Sequence, residues 1–250
     1  MTVPLLPQLP ARVRIPLFDV EVTPLTSSET VELILERVRS GQGLVIGNLN
    51  LHGVYVAHVD REFRQYCDAS DLVLVDGAPV AMAAGLGPRY RVGSTDWLDE
   101  LMPVAEGLRI LAIGGTEASA RGAQRHMTTK YPRVTWDAAD GFSTHHISDD
   151  LRSRIEQAQI ILVGMGMPQQ ERWLLSNSDL LRGKVVANVG GCIDYYAGTQ
   201  RLAPRWTGKL GIEWLYRLLR DPRRLAHRYL IEPFKLVRIL AAKKRPGRGQ

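Results

Sequence analysis

Asp76 closes the run Asp71-Leu-Val-Leu-Val-Asp76 and is followed at once by Gly77. Four apolar residues bury the approach and a tight Asp-Gly turn leaves the carboxylate at the tip, where it is placed to act as a general base. The same residues also read as a turn-forming or helix-capping aspartate. Asn48 and Asn50 end the preceding apolar run and are placed to face the same crevice, although asparagine is also a common turn former. Arg91, in Arg-Val-Gly-Ser-Thr-Asp96, is of the type that pairs with a diphosphate, a solvated surface arginine being the plainer alternative. Gln170 and Glu171 open a helical pattern; an acidic first turn accounts for Glu171 well and for Gln170 less well.

Three glycine turns add a second kind of chemistry. Gly114-Gly115, Gly164-Met-Gly166-Met-Pro168 and Gly190-Gly191, the last followed by Cys-Ile-Asp194, each end a short apolar run. On one sheet edge, glycines let backbone approach a phosphate while N–H groups at the next helix start donate to it. Purely steric demands of strand-to-helix loops explain any one of them alone. Neither G-x-G-x-x-G nor G-x-x-x-x-G-K-[ST] is present, which counts against an ordinary NAD enzyme and a P-loop NTPase. D-x-D, H-E-x-x-H and G-x-S-x-G are absent too, leaving metal sites and serine hydrolase chemistry without a sequence basis.

The elements that must hold these residues alternate. Gly43–Gly47, Asp71–Asp76, Leu108–Gly114, Ile160–Gly164 and Lys184–Asn188 are too short for buried helices and read as interior strands of a parallel sheet. Helical patterns at Ser28–Arg39, Val54–Cys67, Thr116–Lys130, Ser148–Ala158 and Gln169–Leu175 separate them, so the expectation is a Rossmann-like α/β layered fold with a mostly parallel sheet. Its carboxyl edge collects Asn48, Asn50, Asp76 and all three glycine turns.

Of the 250 residues, 23% are charged and 45% hydrophobic, which excludes disorder, collagen-like repeats and coiled coils. Cys67 and Cys192 lie far apart and suggest two buried thiols in a reducing compartment. Prolines at 4, 7 and 10 interrupt any secretory apolar region and no apolar run is long enough to cross a bilayer, so the chain is expected in the cytoplasm.

Charge is unevenly spread. Residues 201–250 carry 14 Lys and Arg against 3 Asp and Glu, or +11, whereas residues 1–200 carry 18 against 23, or −5. The expected division is a Rossmann-like body over 1–200, suited to a nucleotide or another phosphorylated ligand, and a basic amphipathic helical appendage over 201–250. In the appendage Trp214, Leu218, Tyr229, Phe234 and other apolar residues recur at helical spacing among arginines, and Pro222 and Pro233 divide it into short helices. Such helices suit an anionic membrane surface; a docked subdomain whose stripe is core is the alternative.

Taken in order, these residues resemble the WecG/TagA/CpsF family of bacterial glycosyltransferases. The resemblance rests on Asn48-Leu-Asn50, Asp71–Gly77, Arg91–Asp96, Ile113-Gly-Gly115, Tyr131-Pro132, Gly164–Trp173, Val189–Asp194, Arg201–Trp206 and Leu210–Leu219. It implies an inverting transfer of a sugar from a UDP-sugar to a sugar on a polyprenyl diphosphate, for surface polysaccharide or cell-wall polymer, with no metal and no cofactor. It implies that Asp76 is the base and that Asn50, Arg91, Gln170 and Asp194 line the pocket. The C-terminal appendage becomes lid and anchor, with Arg217 and Arg224 neutralising the leaving diphosphate. Asn48 stands where members often carry Thr, and His227 where Arg is common, with Arg228 adjacent to compensate. The implied location is the inner face of the cell membrane, with self-association an open option. Two other functions stay in view from residues alone: a nucleotide-dependent oxidoreductase on the same fold, and a basic nucleic-acid-binding protein, for which no helix-turn-helix, zinc-finger or aromatic RNP pattern is present.

Overall fold

The computed structural model describes residues 9–204, 207 and 212–243. The proline-rich opening before residue 9, Arg205, Trp206, Leu210 and Gly211 of the family-like blocks, and the basic residues from Lys244 onward lie outside the described residues.

Val13–Ile15 (β1) and Val20–Val22 (β2) form a small antiparallel hairpin, and Ser27–Ser40 is the first helix (α1). Thr26 and Glu29 form a reciprocal capping box at its start, and Gly41 closes it in the left-handed conformation. Leu44–Leu49 (β3) then leads into Leu51–Val59 (α2) and Arg61–Ala69 (α3). The sequence pattern predicts one helix over 54–67; the chain breaks it at Asp60, whose extended backbone and side-chain bond to the Phe63 N–H cap a second helix.

Leu72–Val75 (β4), Ala78–Ala83 (α4), Ser94–Leu101 (α5), Arg109–Gly114 (β5), Glu117–Lys130 (α6) and Thr135–Ala139 (β6) follow. The body is completed by Asp149–Gln157 (α7), Ile160–Gly164 (β7), Gln169–Ser176 (α8), Val185–Asn188 (β8) and Cys192–Tyr196 (α9). Six strands make one parallel sheet in the order β4-β3-β8-β7-β5-β6. The expected α/β layered fold is the observed one. Strand β6 lacks the aliphatic run of the others: Thr135-Trp-Asp-Ala-Ala139 sits at the sheet edge, half exposed, where burial does not demand one.

Helices cover both faces. Leu33, Ile34, Trp97 and Leu101 pack with Ile46, Leu74 and Ile110 on one side. Phe63, Val73, Val75 and Val80 form a core with the hairpin, and Leu151, Ile155, Trp173 and Leu174 another beneath β5 and β7.

After the body come Glu213–Arg220 (α10), Pro222–Ala226 (α11), a π-helical turn at His227–Ile231 and Glu232–Lys243 (α12). Pro222 occupies the first turn of α11, where its missing N–H costs nothing. Helix α12 packs on α2 and buries Leu236 in the same core as Val54 and Phe63. Part of the appendage stripe is therefore core. Another part is exposed, including Leu219, Phe234 and Val237.

Candidate active site

Parallel register puts Leu49 of β3 opposite Val75 of β4, so the residues that follow, Asn50 and Asp76, emerge from neighbouring strand ends. The Asp76 N–H extends the ladder by donating to the Leu49 carbonyl at 2.9 Å. Asn50 caps α2: its Oδ1 accepts from the Gly53 N–H at 3.0 Å, which turns its Nδ2 toward Asp76 Oδ2, 3.4 Å away. Beyond α4 the chain returns beside β4, with the Val92 N–H donating to the Val75 carbonyl at 2.8 Å, and this brings Arg91 to the same place.

The appendage supplies the rest of the lining. Glu213, Trp214 and Arg217 of α10, Arg228 and Tyr229 of the π-turn, and Glu232 and Pro233 of α12 enclose, with Asn50, His52, Asp76 and Arg91, a cavity of about 250 Å³. Body and appendage thus form the site jointly. They are clasped by His52 Nδ1 and Glu232 Oε2, 2.5 Å apart, and Glu232 Oε1 lies 3.3 Å from His227 Nδ1.

Burial pushes the Asp76 carboxyl above its ordinary value; Arg217 opposes this most strongly, Glu213 adds to the rise, and Asn50 and Arg228 lower it. Burial and nearby Arg228 push His52 down, against the pull of Glu232. Arg217 donates through Nη2 to Glu213 Oε1 and its guanidinium stands 5.9 Å from the Tyr195 ring centroid. The Nε atoms of both Arg217 and Arg228 are buried without a hydrogen-bond partner. Unpaired guanidinium donors at a cavity wall are unfavourable unless an acceptor arrives. Three carboxylates and three arginines line one cavity, a set that can take a proton from a hydroxyl and hold a polyanion beside it. Among the described residues, no three His, Cys, Asp or Glu side chains converge as a metal-binding group.

A family model described as "Glycosyl transferase WecG/TagA/CpsF family" matches residues 15–250. The chain belongs to this family of glycosyltransferases. Among its relatives is an N-acetylglucosaminyldiphosphoundecaprenol N-acetyl-beta-D-mannosaminyltransferase of Staphylococcus aureus strain MRSA252, 28% identical over 219 residues, covering 83% of this chain and 84% of the relative. The proteins of the same name from strains MW2 and NCTC 8325 are each 26% identical over the same shares. The family resemblance read from the motifs is thereby established for the WecG/TagA/CpsF-family chain as a whole, and the oxidoreductase and nucleic-acid readings lose their ground.

Of the residues singled out by sequence in this family member, Asn50, Asp76, Arg91 and Arg217 meet at the cavity. Asn48 and Gln170 do not line it. Asn48 Nδ2 donates to the Asn188 carbonyl at 2.7 Å, Asn188 Nδ2 to Glu171 Oε1 at 2.6 Å, and Gln170 Nε2 to the same Oε1 at 2.7 Å. This buried network ties the ends of β3 and β8 to α8. Burial raises the Glu171 carboxyl to about 7.

The glycine turns occupy the adjoining stretch of sheet edge and pack on one another. A Cβ on Gly114 would stand 2.2 Å from the Gly164 carbonyl oxygen, and one on Gly164 2.6 Å from that of Gly190. The steric explanation holds for these two. The Gly190 N–H already donates to Gln170 Oε1 at 3.1 Å and the Gly115 N–H to the Gly164 carbonyl at 3.3 Å, so neither is free for a phosphate in this arrangement. Open space surrounds Gly166 and Gly190 where a side chain would project, and Gly191 has only distant neighbours. Asp194 accepts from Gln200 Nε2 at 3.0 Å and faces Gly115. Arg224 is exposed and paired with Asp221 within the appendage, away from the cavity wall; Arg228 is the appendage arginine that joins Arg217 there.

His52, Glu213 and Glu232 carry no individual signal in the sequence, and Trp214 and Tyr229, read there as part of the apolar stripe, instead line the cavity. Their places depend on how the appendage folds back on α2, which periodicity does not specify. The Glu213-x₃-Arg217 spacing was the one local cue, an i,i+4 pair on a helix.

Proposed function

We propose that this chain is an inverting glycosyltransferase that moves a sugar from a UDP-sugar to N-acetylglucosamine on a polyprenyl diphosphate, at the inner face of the cell membrane. What carries the reading is that Asp76, Arg91, Arg217 and Arg228 line one cavity, to which residues from both parts of the chain contribute. The acceptor class follows the names of the Staphylococcus relatives, and an N-acetylmannosamine donor is the first to test.

In the reaction the Asp76 carboxylate takes the proton of the acceptor hydroxyl while that oxygen attacks the anomeric carbon. The bond from that carbon to the diphosphate oxygen breaks, and UDP leaves on the opposite face of the sugar. Inversion requires base and diphosphate clamp to stand on opposite sides of the sugar; in this reading Asp76 works from one side and the appendage arginines from the other. Positive charge fixed in a dry site stabilises the leaving group without reorganisation. In this reading the arginines do the work of a divalent ion, and activity persists in EDTA. Asp194 and the open glycine turns at Gly166 and Gly190–Gly191 are the proposed seat of the nucleoside, next along the sheet edge.

The division into a catalytic body over 1–200 and a membrane-associating appendage over 201–250 belongs to the same proposal. No helix among the described residues is long and apolar enough to cross a membrane. Phe234 and Val237, 73% and 65% exposed on α12, and Leu219 on α10 belong to a segment that also carries Arg220, Arg223 and Arg238, a composition suited to an anionic interface. A lipid-linked acceptor confined to that surface then meets the cavity directly.

The test is product formation. The purified chain is incubated with a panel of UDP-sugars and a short-chain lipid diphosphate bearing N-acetylglucosamine, with and without EDTA. A disaccharide-lipid product with inverted anomeric configuration is expected; release of UDP without a new glycosidic bond, or no reaction with any donor, contradicts the proposal.

A further inference from the structure

Of the three carboxylates that line the cavity, Asp76, Glu213 and Glu232, Glu213 is the one that pairs with its arginines. Its carboxylate accepts from Arg217 Nη2 through Oε1 and lies 3.6 Å from Arg91 Nη1 through Oε2, so one side chain engages two of the three arginines. One partner is on its own helix and the other on the body, beside β4. Meanwhile the Nε donors of Arg217 and Arg228 have no acceptor. Arg217 is therefore only partly satisfied by Glu213, and Arg228, which Glu213 does not reach, keeps an unpaired buried Nε.

A diphosphate entering here meets guanidinium groups already bound to a carboxylate. It must take over those contacts, and its net binding energy is what remains after the Glu213 contacts are given up. Charge-assisted pairs of this kind are strong in a partly desolvated site, so the exchange is not trivial. When the diphosphate leaves, Glu213 is tethered one helical turn from Arg217 and recaptures it.

We propose that Glu213 is an internal substitute for the diphosphate, a positioning residue that holds Arg91 and Arg217 in place when the cavity is empty and competes with the phosphates for them, weakening the hold on UDP so that product departs. This rests on reading the cavity as a diphosphate site. The proposal differs from a purely structural salt bridge in sign. A brace that merely orients the arginines makes anion binding weaker when it is removed; a competitor makes it tighter.

The experiment measures inorganic pyrophosphate binding by calorimetry on the full chain for wild type, E213Q and E213D, with donor KM, kcat and UDP inhibition from turnover. E213Q keeps the size of the side chain and removes its charge; E213D keeps the charge and shortens its reach to Arg91. The expected result is about three- to tenfold tighter pyrophosphate binding in E213Q, with a matching gain in UDP inhibition, a lower donor KM and a kcat that falls as release slows. E213D falls between the two. Pyrophosphate binding that tightens in neither variant overturns the role of Glu213. A wild-type chain that binds no pyrophosphate overturns the diphosphate reading of the cavity itself, and the Glu213 proposal with it.

Discussion

Asn50 spends its carbonyl on the Gly53 N–H and thereby aims its amide nitrogen at Asp76 Oδ2, 3.4 Å away. The cap fixes the orientation of the side chain, and that orientation gives the carboxylate a donor where it faces the cavity. One residue thus starts a helix and helps to keep a buried carboxyl ionised.

The two roles separate by substitution. Asn50→Asp keeps a good cap but places a second carboxylate against Asp76, so folding stability stays within about 1 kcal/mol of wild type while activity falls steeply at neutral pH. Asn50→Ala loses both, with ~1 kcal/mol of stability gone. Chemical denaturation and initial rates on the same samples check the pair; equal activity in the wild type and Asn50→Asp contradicts the electrostatic role.

The pH dependence of turnover has a definite sign. Asp76 must be ionised to accept a proton, and burial holds its carboxyl above the ordinary range, so activity rises with pH along a limb displaced upward from that range. Arg217 is the strongest influence in the other direction. Arg217→Gln is expected to shift the limb further up, besides slowing the reaction by ~10²-fold or more. A limb that moves down in Arg217→Gln refutes the coupling.

Glu171 gives a stability signature of its own. Its folded value of about 7 against an ordinary 4.5 means that the folded protein binds more protons than the unfolded chain between those values. Stability is therefore greatest below pH 4.5 as far as this group is concerned and declines as pH rises to 7, by on the order of 3 kcal/mol. Glu171→Gln removes that slope. Melts across pH 5 to 8, compared with wild type, test it.

How much of this was legible beforehand differs by element. The aliphatic strands β3, β4, β5, β7 and β8 announce themselves because each is buried on both faces, and Asp76 follows from one of them by simple adjacency. Edge strand β6 and the α2–α3 break at Asp60 did not, the first for want of burial and the second because a single capping side chain overrides a continuous helical pattern. Asn48 and Gln170 were recognisable as unusual polar residues at strand and helix ends, but their residue types alone do not distinguish a pocket wall from a buried hydrogen-bond network. Arg224 and Arg228 are four apart on a basic segment, and which of them faces Asp76 depends on the π-turn at His227–Ile231.

The His52–Glu232 clasp joins α2 to α12 in the cavity lining, with Glu232 only 7% exposed. Removing His52 leaves Glu232 Oε2 without its partner, with only the 3.3 Å contact from Oε1 to His227 remaining, at a cost of ~1–3 kcal/mol. His52→Ala is expected to increase hydrogen exchange in α12 far more than in the sheet, and to raise KM. Uniform exchange across both regions speaks against a local clasp.

Phe234 and Val237 make little use of the fold, being mostly exposed. Changing both to Ser is expected to leave the melting midpoint within a few degrees of wild type and to weaken flotation with anionic vesicles about tenfold or more. Unchanged flotation at low salt contradicts the membrane assignment for this face.

The most direct test concerns Asp76 alone. Asp76→Asn preserves shape and cavity while abolishing the base, so turnover with donor and lipid-linked acceptor is expected to drop ~10²–10⁴-fold while pyrophosphate binding and the folded structure are retained. An Asp76→Asn chain that still transfers sugar within about twofold of wild type contradicts the account at its centre.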